Sequence, residues 1–109
     1  MTTISFESQA ERYVSVSMEG HTGFAPEGED ILCAAVTSAL RLIECAVNDV
    51  LGLGAAVKIR EEDAAISLKL PGGLSEETDR ICQTLLHSLM VYLVQLHEEY
   101  PDNIIVLEV

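Results

Sequence analysis

The chain has 109 residues, enough for one domain with a modest core. Apolar residues make up 49% and charged residues 22%, which excludes an intrinsically disordered chain. Six basic residues against 18 acidic ones give a net charge of −12. That sign argues against direct nucleic-acid binding and suits basic peptides or proteins, although it would also serve solubility alone.

The longest near-apolar stretch, Ile31 to Ile43, is interrupted by Thr37, Ser38 and Arg41. It reads as too short and too polar to span a bilayer, so no membrane association is expected. Met1 to Ser5 shows no basic segment leading into an apolar run, and no secretory signal is expected either. Cys33, Cys45 and Cys82 are odd in number and form no CxxC pair. They point to free thiols in a reducing compartment, the cytoplasm, and to neither a disulfide framework nor a zinc site. No metal or other cofactor is expected.

In chain order, Ile4 and Phe6 alternate with polar residues as in a short strand. Ser8 to Glu11 reads as a polar turn. Val14, Val16 and Met18 then alternate with Tyr13, Ser15 and Ser17, completing a hairpin. Residues 20–28, with Gly20, Gly23, Gly28 and Pro26, read as an exposed loop of the kind that carries binding or catalytic groups.

Asp30 is a good N-cap for a helix running to about Leu51, where Gly52 and Gly54 stop it. Its expected core stripe is Leu32, Val36, Ala39, Ile43, Ala46, Val47 and Val50. Ala56 to Arg60 and Ala64 to Leu70 read as a second hairpin turning at Glu61-Glu62-Asp63. Ser75 caps a second helix from Glu76 to about Glu99, with Ile81, Leu85, Leu89, Tyr92, Leu93 and Leu96 as its stripe. Ile104 to Leu107 forms a last strand. The order is ββαββαβ over residues 1–109. It predicts a two-layer α+β fold, a mixed or antiparallel sheet with two helices on one face.

The segment from Gly20 to Thr37 carries the chemistry. Cys33 falls in the first turn of the first helix, where unpaired backbone N–H groups favour a thiolate. It lies off the core stripe, on the polar side with Thr37 and Arg41. Glu29 and Asp30 work against the thiolate unless they point elsewhere. His21 precedes Cys33 by twelve residues, a span that a folded-back loop can close, and could act as base and then acid.

Gly20-His21, Gly23, Ala25, Gly28, Asp30-Ile31 and Cys33-Ala34-Ala35-Val36 resemble the signature of the ribosomal-processing cysteine proteases. The resemblance covers the length and element order of the chain. It implies a dyad of His21 and Cys33, and cleavage of the N-terminal extension of the ribosomal large-subunit protein L twenty-seven after an aromatic residue followed by basic ones. It also implies a homodimer. Departures are Thr22 for the usual alanine, Leu32 for a common valine and Thr37 for a frequent serine. Thr37 keeps the hydroxyl one turn from Cys33 and is expected to support the site. Asp30 is expected either to cap the helix or to orient His21, and Phe24 to cover the substrate's aromatic side chain.

Cys45 and Cys82 read as small packing residues. His87 lies opposite its helix's core stripe, and His97 suits the helix C-terminus. Two other classes stand beside the protease: a non-catalytic ribosome-associated binding module and a thiol hydrolase of small acyl groups.

Overall fold

A computed structural model describes residues 1–21 and 30–109. The elements are β1 (Thr2–Gln9), β2 (Arg12–Glu19), α1 (Ile31–Glu44), β3 (Ala56–Arg60), β4 (Ala65–Lys69), α2 (Glu76–Glu99) and β5 (Ile104–Glu108). The sheet order is β3-β4-β2-β1-β5. β5 runs parallel to β1 and the other neighbours are antiparallel, so the sheet is mixed. This is the expected α+β arrangement.

Each strand buries one face. Ile4 pairs with Met18 and Phe6 with Val16, and all four are buried, whereas Ser5, Ser17 and Ser67 form a half-exposed row on the opposite face. The first hairpin turns through Ala10 and Glu11, whose φ of 52° and 63° fit the twist of the flanking strands. Between Glu7 and Ser8 the register slips, leaving Val14 as an extra residue on β2. Tyr13 is buried as a result, against the simple alternation that groups it with the outer serines. Its backbone N–H and carbonyl are both taken by the Gln83 amide of α2, each at 2.7 Å. Its ring lies 5.3 Å from Phe6 and 4.6 Å from His87. Its hydroxyl donates to Glu108, and burial, reinforced by that carboxylate, pushes the phenol up to about 12.

α1 continues past Glu44 into a π-helical end, Cys45–Val50. The Leu51 N–H donates to the Ala46 carbonyl, five residues back. The buried residues along this helix are Leu32, Val36, Leu40, Ile43 and Val47. The expected stripe is thus corrected at Ala39, Ala46 and Val50, and Ala46 is only half-buried. Leu40 carries the inner row while Ala39 sits at its edge. Val50 is 77% exposed, because the wider π turn carries it off the line of the row. Residues 31–50 form a continuous 20-residue helix of mean hydropathy 1.6, long and apolar enough to cross a membrane by length and composition. Five of its large apolar side chains are instead used in the core.

α2 keeps Leu89, Leu93 and Leu96 of the expected stripe and differs at Ile81 and Tyr92, with Leu85 at its edge. Cys82, Leu86, Leu89, Leu93 and Leu96 are buried, while Ile81 and Tyr92 are 43% and 49% exposed. Two apolar rows overlap on this helix, and the one facing the sheet contains a cysteine in place of the more hydrophobic isoleucine. Cys82 is a packing residue, its thiol pushed up by burial. Cys45 is exposed and is not one.

Arg12, opening β2, makes a two-pronged ion pair with Asp79 in the first turn of α2. Hydrogen bonding from Arg12 holds the Asp79 carboxyl below its usual 3.8. A depressed carboxylate stabilises the fold above its unfolded pKa, and that contribution disappears as pH falls through the folded value. Asp79→Asn is expected to lower stability by about 1 kcal/mol at pH 7. The deficit should shrink as pH falls below the usual carboxylate value and through the lower folded one. Thermal melts of both proteins from pH 7 downward check this; a deficit independent of pH would assign the role of Asp79 to packing.

Candidate active site

Cys33 is the third residue of α1. Its position is set by Asp30, whose Oδ1 accepts the Cys33 N–H at 2.9 Å while its backbone carbonyl accepts the Ala34 N–H at 3.1 Å. Asp30 has extended backbone angles and is largely buried, as a helix cap requires. The capping reading of Asp30 is therefore realised in the structure.

The Cys33 side chain is half-buried at the side of a groove of about 220 Å³. One wall is α1, with Cys33, Thr37 and Arg41 at successive turns. The floor is Met18 of β2 and Ile66 of β4, and the far wall is the end of the β3–β4 hairpin, including Ile59, Arg60, Glu61 and Ala64. Thr37 lies in the groove as expected, with its hydroxyl donating to the Met18 sulfur at 3.8 Å. The floor is apolar, and β3 is the outer strand of the sheet, so Ile59 is left 52% exposed.

Two of the six basic residues of the chain border this groove. Arg41 is paired with Glu44 at 3.0 Å and Arg60 with Asp63 at 3.3 Å. Arg41 is legible in the sequence, because positions 33, 37 and 41 lie one turn apart on one face. Ile59, Arg60 and Ala64 are not, since only the folding-over of the second hairpin brings them to Cys33. A larger groove of about 640 Å³ follows the exposed flank of α2 past His87 and Tyr92. It contains no cysteine and lies apart from Cys33, so size alone would mislead.

His21 is exposed and follows β2 directly. Gly20, before it, has φ of +91°, and a Cβ there would approach the Met1 carbonyl oxygen to 2.6 Å. Only glycine fits that path. The Gly20 N–H donates to the Asp63 carbonyl at 3.1 Å, and its carbonyl accepts the Thr2 hydroxyl at 2.9 Å. The start of the expected loop is therefore fastened on both sides. Gly23, Phe24 and Gly28 lie outside the described residues. Among the described residues, no group of three or more His, Cys, Asp or Glu is placed to hold a metal ion.

Residues 1–105 match the family model described as Cysteine protease Prp. The chain belongs to this family. It is 30% identical over 91 residues to the ribosomal processing cysteine protease Prp of Bacillus subtilis (strain 168), covering 84% of this chain and 81% of that one. Its fold matches an essential ribosomal processing protease Prp from S. aureus, solved with a covalently linked product peptide. The TM-score is 0.86 at 22% identity, with both chains fully covered. It also matches SMU.848 from Streptococcus mutans, with a TM-score of 0.83 at 22% identity, covering 99% and 93% of the two chains. Membership in the Prp family makes this chain a cysteine protease, and of its three thiols Cys33 lines the groove between α1 and the β3–β4 hairpin.

If Asp30 acts mainly as the cap, Asp30→Ala should cost about 0.5–2 kcal/mol. Asp30→Ser should recover most of that loss. Thermal melts paired with peptide cleavage test this. A large rate loss at unchanged melting temperature would instead assign Asp30 to orienting His21.

Proposed function

We propose that the chain is an endopeptidase in which Cys33 is the nucleophile and His21 the general base and acid, and that it removes the N-terminal extension of the ribosomal large-subunit protein L twenty-seven. The observation that carries this reading is the placement of Cys33: a thiol in the first turn of a helix, beside an open groove with an apolar floor. The relatives, a ribosomal processing protease and one bound to a substrate peptide, support the choice of substrate class.

The steps follow from ordinary thiol chemistry. His21 takes the Cys33 proton, and the sulfur attacks the scissile carbonyl carbon. As the tetrahedral intermediate collapses, the C–N bond breaks and His21 returns the proton to the leaving amine. Water, deprotonated by His21, then attacks the thioester carbon. The C–S bond breaks, leaving a free carboxylate on the extension and the thiol on Cys33.

An aromatic or large aliphatic side chain suits the apolar floor of Met18 and Ile66 and the Ile59 side chain of the far wall. The charge of −12 favours approach of basic residues beyond the cut. That attraction has to come from the wider surface, because Arg41 and Arg60 give the groove its own positive charges, each paired with a carboxylate. Three free thiols suit a cytoplasmic enzyme. A homodimer is the natural way to cover the outer side of α1, where Ile31 is 72% and Leu42 67% exposed and Cys45 lies on the surface.

Cys33→Ala should abolish cleavage of a peptide spanning the junction without loss of fold, and His21→Ala should lose nearly as much, since the pair acts as a unit. Cleavage by Cys33→Ala at the wild-type rate rejects the mechanism. Raising salt should weaken capture of the basic peptide by Cys33→Ala, measured by fluorescence anisotropy. Light scattering at micromolar concentration should give twice the mass of one chain, and Leu42→Glu should return it to one. A single-chain mass for the wild type rejects the dimer.

A further inference from the structure

The residue before the proposed general base, Gly20, is anchored on both sides. Thr2 is fully buried at the start of β1, although its side chain is polar. Its backbone N–H donates to the Asn103 carbonyl at 2.9 Å, in the turn between α2 and β5. Its hydroxyl donates to the Gly20 carbonyl at 2.9 Å, across 18 residues of sequence. The Gly20 N–H is taken by the Asp63 carbonyl at 3.1 Å. Both peptide groups flanking the Gly20 Cα are thus fixed, one by the chain's first strand and one by the β3–β4 turn.

That turn is itself braced. Arg60 pairs with Asp63 across it, and the Ala64 N–H donates to the Glu61 carbonyl at 3.1 Å, with Ala64 at φ of 49°. Arg60, Glu61 and Ala64 belong to the far wall of the Cys33 groove. The backbone leading into His21 is therefore tied to the wall that the peptide would touch.

From this we infer that Thr2 is a positioning residue for the reaction: its buried hydroxyl fixes the Gly20 carbonyl, and with it the direction in which the chain presents His21. The inference rests on the dyad proposed above. Its physical basis is that the Gly20–His21 peptide plane contains the Gly20 carbonyl, so a bond to that oxygen orients the plane from which the His21 Cα departs. Without the hydroxyl the plane loses the donor that sets its tilt, and displacements near 1 Å at a proton-transfer group cost up to about a hundredfold in rate. A hydroxyl donor is needed, and shape alone does not suffice: valine fills the same space and leaves the carbonyl without its donor.

The test is steady-state cleavage of the junction peptide by Thr2→Val and Thr2→Ser, at a temperature well below both melting points. Thr2→Val should lose about tenfold or more in kcat with KM within about twofold, because the groove that binds the peptide is intact. Thr2→Ser should restore kcat to within about twofold of wild type, since it keeps the donor. If Thr2→Val lowers only the melting temperature and keeps kcat, Thr2 is structural and the inference is overturned. Should Thr2→Val fail to fold, Gly20→Ala reads the same linkage, because its Cβ must displace the chain from Met1; unchanged kcat there overturns the inference equally. His21→Ala separates the two proposals. Wild-type cleavage by His21→Ala rejects the dyad, whereas an inactive His21→Ala beside a fully active Thr2→Val rejects only the role of Thr2.

Discussion

Burial of one face of the sheet is the constraint from which the rest follows. Side chains on a strand alternate, so a sheet covered on one side must place its apolar residues at every second position and keep register throughout. Phe6, Val16, Ile66 and Leu68 obey this, and among the described residues the serine row opposite them is only half-buried. The exception is Tyr13, where one extra residue on β2 breaks the alternation. The cost of that irregularity is met by Gln83, which satisfies both backbone groups that the bulge turns toward α2.

The same constraint makes the groove. β3 is the outermost strand, and its helix-side residue Ile59 is half exposed. Between it and the start of α1 lies space with an apolar floor, and the first turn of α1 places Cys33 at its side. The buried row Leu32, Val36, Leu40 and Ile43 sets the rotation of α1, and the four-residue spacing then puts Cys33, Thr37 and Arg41 together on the groove side. The Asp30 carboxylate closes the first turn and so holds Cys33 within the helix.

The chain carries a net charge of −12, while the two arginines at the groove are each paired with a carboxylate. Exposed pairs of this kind contribute little to stability. They hold two long side chains at the rim of the groove, each with its charge balanced by its own partner.

The element order, both helix caps, both hairpins and the Gly20–His21 and Cys33 positions were determined by the sequence alone, because each rests on short-range chemistry. A carboxylate three residues before an amide, alternation along a strand and a glycine at a chain reversal all act within a few residues. The inner face of α2 was decided by tertiary packing: Ile81 and Cys82 head two overlapping apolar rows, and only contact with the sheet selects the second. Val50 likewise turns outward because the helix widens after Glu44, a choice that local propensity does not encode. The far wall of the groove and the bond from Thr2 to Gly20 join residues distant in sequence. No pattern along the chain marks them, since their meeting depends on the sheet order β3-β4-β2-β1-β5, and that order is fixed by how the whole core packs.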